Sequence, residues 1–70
     1  MENKLEGKYA NCFKIGYNAY EFIVDFGQCY AGQQEDFSTR IVTSPVYAKT
    51  LLKTLQNAIA EYEKIYDAVE

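Results

Sequence analysis

Histidine is absent from the 70-residue chain, and cysteine occurs only at Cys12 and Cys29. A structural zinc site needs about four ligands from residues of these two kinds, so two separate thiols cannot form one. Ser44 has no histidine that could act as its general base, and it is better explained as a helix cap than as a nucleophile. We therefore predict no catalytic residues, no metal site and no cofactor, and expect a protein that is not an enzyme.

Long apolar runs and an excess of positive charge are also lacking. The N-terminal residues 1–7 are polar and lack the apolar segment of a signal peptide, and no stretch approaches the roughly 18 apolar residues of a membrane span. Seven basic residues against ten acidic ones give a net charge of −3, whereas nucleic-acid-binding proteins usually present a basic face. We expect a cytoplasmic protein with no membrane and no nucleic-acid partner.

The chain is short enough that its stability becomes a question. Seventy residues make a single domain near the lower size limit, and a domain of this size buries only about 60% of the surface that its unfolded chain exposes. Disulfides, metals or oligomerisation usually stabilise such domains further. Because a metal site is excluded and a disulfide is not favoured (below), oligomerisation is the expected source of extra stability.

Alternating apolar residues predict three antiparallel strands in the first half of the chain. The pattern covers residues 9–17, 20–28 and 37–43, and a polar, glycine-containing loop at 31–36 separates the last two. Gly27 is a candidate bulge or point of close backbone approach. The first half is therefore expected to form a three-stranded meander.

The register of the first hairpin determines whether Cys12 and Cys29 are close enough to form a disulfide. A turn at Asn18-Ala19 would place Tyr17 opposite Tyr20 and Ile15 opposite Phe22, both of them favourable apolar pairs. In this register Cys12 lies opposite Asp25. Two reduced thiols, packed as small apolar groups, are thus favoured over the alternative of a disulfide between them.

A long helix is expected to follow the meander. Ser44 is a good N-cap and Pro45 suits the first helical position, and no glycine or further proline interrupts the chain as far as Val69. One face carries apolar residues at alternating intervals of four and three: Ala48, Leu52, Leu55, Ile59, Tyr62, Tyr66 and Val69. The predicted fold is thus α+β, a single domain with a flexible arm at 1–8, a meander at 9–43 and one long C-terminal amphipathic helix at 45–69.

This helix is too long for the sheet that precedes it. Twenty-five helical residues span roughly 37 Å, whereas three strands make a sheet only about 15 Å wide. The last turns would project with apolar side chains exposed, unless they pack on the N-terminal arm. A second copy of the chain would cover them, so we predict a homo-oligomer, a dimer or tetramer. Its interface is expected to contain Leu52, Leu55, Ile59, Tyr62, Tyr66 and Val69.

Two further features were weighed as sites. Glu21 and Asp25 fall on one strand face, as paired catalytic carboxylates can, but Arg40 should lie diagonal to Asp25 and make a structural ion pair instead. Seven tyrosines in so short a chain are typical of core and interface packing. They could also stack nucleic-acid bases, but the acidic charge balance disfavours that use.

Several segments together resemble a family of small bacterial and archaeal proteins of unknown function. The resemblance covers about residues 9–63 and has the pattern E-F-x-x-D-F, from Glu21, and R-I-V-x-S-P-x-x-A-K-x-L-L, from Arg40. The family often has histidine where this chain has Tyr47. The resemblance implies no activity. The order of three strands and a long helix is also similar to that of SecB-like export chaperones.

Three functions are compatible with these features. The leading hypothesis is a non-enzymatic, homo-oligomeric protein–protein interaction module. The second is a SecB-like binder of extended peptides at a sheet edge. The third is a subunit of a larger hetero-complex, of phage-derived or defence machinery for example. An enzyme or small-ligand binder that uses Asp25, Glu21 and Arg40 is disfavoured, since a 70-residue monomer scarcely has room for its pocket and the site would have to lie between subunits.

Overall fold

The computed structural model describes residues 5–68, which form one sheet and one helix. The elements are β1 (Cys12–Tyr17), β2 (Phe22–Gln28), β3 (Asp36–Thr43) and α1 (Pro45–Ile65). The strands pair antiparallel in the order β1-β2-β3, which is a meander. This confirms the predicted α+β class. The first two strands are shorter than expected, since each begins two or three residues later than the alternation suggested.

The turn between β1 and β2 differs from the predicted one. Tyr17 pairs with Phe22, so residues 18–21 form the connection and the register is shifted by two residues. The side-chain oxygen of Asn18 accepts hydrogen bonds from the backbone N–H groups of Tyr20 (2.8 Å) and Glu21 (2.9 Å). Asparagine side chains favour turns by such local bonds. The predicted two-residue turn at Asn18-Ala19 was therefore wrong.

The corrected register brings the two cysteines together. Cys12 lies opposite Gly27 rather than Asp25, and it forms a disulfide with Cys29 across a Cα–Cα distance of 6.0 Å. Asn11 fastens the same end of the hairpin, because its side chain accepts from the backbone N–H of Cys29 at 2.8 Å and donates to its carbonyl oxygen at 3.3 Å. The expectation of reduced thiols was wrong because it rested on the wrong register. The expected cytoplasmic location loses this support, since disulfides are rare in that compartment.

Reduction of this disulfide should destabilise the protein. The bond links residues 17 apart in sequence, and a loop of that size restricts the unfolded chain by about 3 kcal/mol. At fixed protein concentration, urea unfolding should show a loss of about this size when reductant is added. A Cys12→Ala/Cys29→Ala double variant should not respond to reductant. Equal stability of the wild type with and without reductant would contradict the prediction.

Gly27 lies at an irregularity between β2 and β3, as the sequence predicted. Phe26 pairs with Thr39 but Gly27 pairs with Phe37, which leaves Ser38 without an opposite residue. A Cβ atom at position 27 would collide with the backbone oxygen of Asp36 and would lie 2.9 Å from the Cα of Phe37. Only glycine permits this approach of the two backbones.

Alanine substitution tests this close approach. Gly27→Ala should lower the free energy of unfolding by about 1–3 kcal/mol, because backbone atoms must move to admit the methyl group. Gly16→Ala is the matched control, since an added Cβ there meets no atom within 4 Å. Its effect should stay within about 0.5 kcal/mol in the same urea experiment. Similar losses in the two variants would show that the bulge is not a close contact.

The helix begins where the sequence placed it and ends earlier. Ser44 is the N-cap, and its hydroxyl accepts a hydrogen bond from the backbone N–H of Tyr47 at 3.2 Å. α1 ends at Ile65, and Tyr66 is extended with φ −117° and ψ −178°. The predicted continuation to Val69 was therefore too long, and Val69 itself lies outside the described residues. A final turn with no sheet beneath it has little to stabilise it, since most helix stability comes from packing.

The sheet has one apolar face and one polar face. The apolar face carries side chains that alternate along all three strands: Phe13, Ile15, Tyr17, Phe22, Val24, Phe26 and Ile41. The opposite face, called the polar face here, carries the charged residues Lys14, Asp25 and Arg40 together with Ile23, Phe37 and Val42. The first half of α1 stands opposite the apolar face. Val24, at the centre of that face, is the one side chain among residues 5–68 that is buried, with 9% of its surface exposed.

Candidate functional site

An open cleft separates α1 from the apolar face of the sheet. We call it the apolar cleft, and its volume is about 600 Å³. The lining residues come from β1, β2 and the first half of α1: Ile15, Phe22, Val24, Pro45, Ala48, Lys49, Leu51, Leu52 and Leu55. Lys49 is the one charged residue among them. The cleft is therefore a surface suited to apolar side chains.

The two walls of the cleft do not pack against each other. Ile15 on the sheet wall is 58% exposed, and Leu51 and Leu55 on the helix wall are about half exposed. None of the residues of α1 is buried. The hydrophobic effect stabilises a fold by removing such surface from water, so a helix and a sheet that leave it exposed lack most of the usual core.

The size of the uncovered surface can be stated. The chain exposes 6615 Å², whereas a compact monomer of 8.0 kDa exposes about 4,500 Å². The difference is about 2,100 Å² per chain, part of which belongs to the extended N-terminal arm, where Leu5 is 93% exposed. An interface of standard size takes only about 800 Å² from each partner. The radius of gyration of 14.9 Å likewise exceeds the roughly 11 Å expected for 70 residues.

The predicted interface residues occupy different parts of this surface. Leu52 and Leu55 line the apolar cleft. Ile59 and Tyr62 lie farther along α1 and are partly exposed. Tyr66 follows the end of the helix, and its ring lies 4.9 Å from that of Tyr62. We call residues 59–66 the distal segment.

Ile15, Phe22 and Val24 were not among the residues predicted to form an interface. Their alternation identified them as one strand face, and that face was assumed to be covered by the helix of the same chain. The sequence did contain a signal for this exposed face, because the chain has too few other residues to cover it. One helix cannot cover an apolar face that also carries Phe13, Tyr17 and other large side chains.

The polar face is organised by a pair of hydrogen bonds between Arg40 and Asp25. The Nε and Nη2 atoms of Arg40 donate to the two carboxylate oxygens of Asp25 at 2.7 Å and 2.9 Å. The two residues are directly opposite each other, not diagonal as predicted. Glu21 lies in the turn before β2, so the expected placement of Glu21 and Asp25 on one strand face was wrong. Lys14 lies on the same face, and its Nζ atom is 3.6 Å from Oε1 of Glu35.

The hydrogen bonds from Arg40 lower the pKa of Asp25. Partial burial opposes them, since only 14% of the Asp25 side chain is exposed, and the positive charges of Arg40 and then Lys14 lower the pKa further. The same hydrogen bonds raise the pKa of Arg40. The arrangement holds Asp25 in its charged form, which suits an ion pair and not a general acid.

The pKa of Asp25 can be measured by NMR titration of its carboxyl carbon. We expect a value below the ordinary one, and Arg40→Gln should raise it more than Lys14→Gln does, because Arg40 supplies both the hydrogen bonds and the nearer charge. With the folded pKa lowered, the pair stabilises the protein above the unfolded-state pKa. That stability is lost as pH falls through the folded pKa. Equal shifts in the two variants would contradict the assignment.

The described part of the chain offers neither a metal-ligand cluster nor a membrane-spanning helix. Residues 5–68 contain no group of three or more histidine, cysteine or acidic residues placed to hold a metal ion. The helix described there is not long and apolar enough to cross a membrane. The absence of catalytic and cofactor-binding residues stays a prediction from the sequence.

Comparison with known proteins gives a family and no activity. No curated protein and no solved structure matches the chain. One family model, described as "Protein of unknown function (DUF3467)", matches residues 1–69. This agrees with the resemblance drawn from the strand and Ser-Pro-helix motifs. Because the match spans nearly the whole sequence, the chain belongs to the DUF3467 family of proteins of unknown function.

Proposed function

We propose that this protein is a non-enzymatic protein–protein interaction module that works as a homo-oligomer, in its simplest form a dimer. One observation carries the proposal, the roughly 2,100 Å² of surface beyond that of a compact monomer of this mass. Much of that surface is apolar, on both the sheet and the helix. Permanent interfaces between subunits are of this kind, apolar and similar to a domain core cut in half.

The length of α1 supports the same proposal. Its 21 residues span about 31 Å, roughly twice the width of a three-stranded sheet. The distal segment lies beyond Leu55, the last helix residue that lines the cleft against the sheet. Ile59 and Tyr62 continue the apolar stripe that begins at Leu52 and Leu55, so one continuous surface is available to a partner.

Binding of extended peptides is a second candidate, and one observation favours it. β1 is an outer strand of the sheet, and Ile15 of β1 lines the apolar cleft. A peptide that added to this edge as a fourth strand could place alternate side chains in the cleft. Membership of a larger hetero-complex and a cytoplasmic location remain proposals from the sequence.

The solution mass of the protein tests the leading proposal. Light scattering on a size-exclusion column should give a mass of a dimer or larger for the wild type. Ile59→Asp should shift the protein toward the monomer, because a charge would be buried at the centre of the apolar stripe. Asn57→Asp is the matched control, since it introduces the same charge on the opposite, polar face of α1.

The outcomes of this experiment separate the candidates. A wild type that is monomeric at micromolar concentration would contradict the homo-oligomer and favour peptide binding at the β1 edge. If Ile59→Asp and Asn57→Asp dissociate equally, the apolar stripe of α1 is not part of the interface. Far-UV circular dichroism of both variants shows whether the fold is retained.

A further inference from the structure

The apolar cleft lacks an element that would fill it. Its sheet wall carries Ile15 and Val24, and its helix wall carries Leu51 and Leu55. In a compact α+β domain these walls would pack on each other or on a further element. Among residues 5–68, the N-terminal arm lies beside Phe26 and Ile41 and does not line this cleft, and the distal segment follows the last helix residue that does, Leu55.

The distal segment has the properties that the cleft requires. It presents Ile59, Tyr62 and Ile65, all large apolar or aromatic side chains that are partly or largely exposed. Its charged residues include Glu61 and Lys64, which pair with each other at 3.5 Å within the segment, so the match to the cleft rests on the apolar side chains. The distal segment and the cleft are therefore matched in apolar character.

We propose that the apolar cleft is filled by the distal segment of a second copy of this chain. Side chains of Ile59 and Tyr62 from the partner copy pack against the Ile15 and Leu51 walls. This proposal rests on the proposed homo-oligomer and specifies which surfaces meet. It differs from simple pairing of two helices, in which the cleft and the sheet would stay exposed.

The exchange is reciprocal, which limits the size of the assembly. Each copy has one cleft and one distal segment. Two copies related by a two-fold axis can therefore fill each other's clefts and form a closed dimer. Each chain then covers surface on the sheet and the helix of the other. The excess of about 2,100 Å² per chain is enough for an interface of the size found in permanent dimers.

An NMR experiment on the wild-type protein tests the contact directly. A dimer assembled from one ¹³C-labelled and one unlabelled copy should give filtered NOEs from the methyl groups of Ile15 and Leu51 to the ring protons of Tyr62 in the other copy. NOEs between copies that connect helix residues only, with none to Ile15 or Val24, would overturn this inference and leave the homo-oligomer intact. A monomeric mass with no NOEs between copies would overturn both.

Two substitutions on opposite faces of the sheet provide an independent test. Ile15 on the apolar face is 58% exposed and Val42 on the polar face is 52% exposed, so the two positions are closely matched. Ile15→Asp should weaken the dimer by about 100-fold or more, as expected for a charge placed in the core of an interface. Val42→Asp should change the dissociation constant by less than about threefold.

Circular dichroism of both variants shows whether a loss of dimer affinity is caused by a loss of the fold. If Ile15→Asp retains the wild-type spectrum and dissociates while Val42→Asp does not, the apolar face is part of the interface. Equal dimer affinities for the two folded variants would overturn the inference. If Ile15→Asp fails to fold, the NOEs of the wild type decide between the two arrangements.

Discussion

The side-chain oxygen of Asn18 holds the turn on which the sheet depends. By accepting two backbone N–H groups it fixes a four-residue connection, and every pair between β1 and β2 follows from that count. A shift of one residue would send each side chain to the other face. In the observed register Ile15 lies opposite Val24, so the apolar face is continuous, and the hairpin's open end brings Cys12 within reach of Cys29.

The shortage of covering residues explains the rest of the architecture. A three-stranded sheet and one helix have too few residues to enclose a core, and Val24 is the one buried side chain between residues 5 and 68. The disulfide strengthens the hairpin covalently but covers no apolar surface. The polar face is satisfied within the chain by the pairing of Asp25 with Arg40. The apolar cleft, by contrast, stays open on the side that faces α1.

The sequence predicted a structural feature correctly where a short motif is compatible with only one local conformation. Ser44-Pro45 marks the start of α1, and Gly27 marks the bulge, because few other residues fit those positions. The hairpin register was not available from alternation, since a shift of two residues keeps every side chain on its face. Tyr17 finds an aromatic partner in either register, so pairing preference could not decide. The end of α1 and the open cleft depend on tertiary packing, which no local pattern records.

The hairpin and the helix are attached to the fold in different ways. β1 is held at one end by the Asn18 turn and at the other by a covalent bond, so it cannot be exchanged between copies without breaking that bond. α1 is joined to β3 through Ser44 alone. With the disulfide intact, β1 and β2 must stay together in one copy, whereas exchange of α1 breaks no covalent bond. The single residue Ser44 is thus the hinge through which α1 could reach a second copy while the disulfide-linked hairpin stays unchanged.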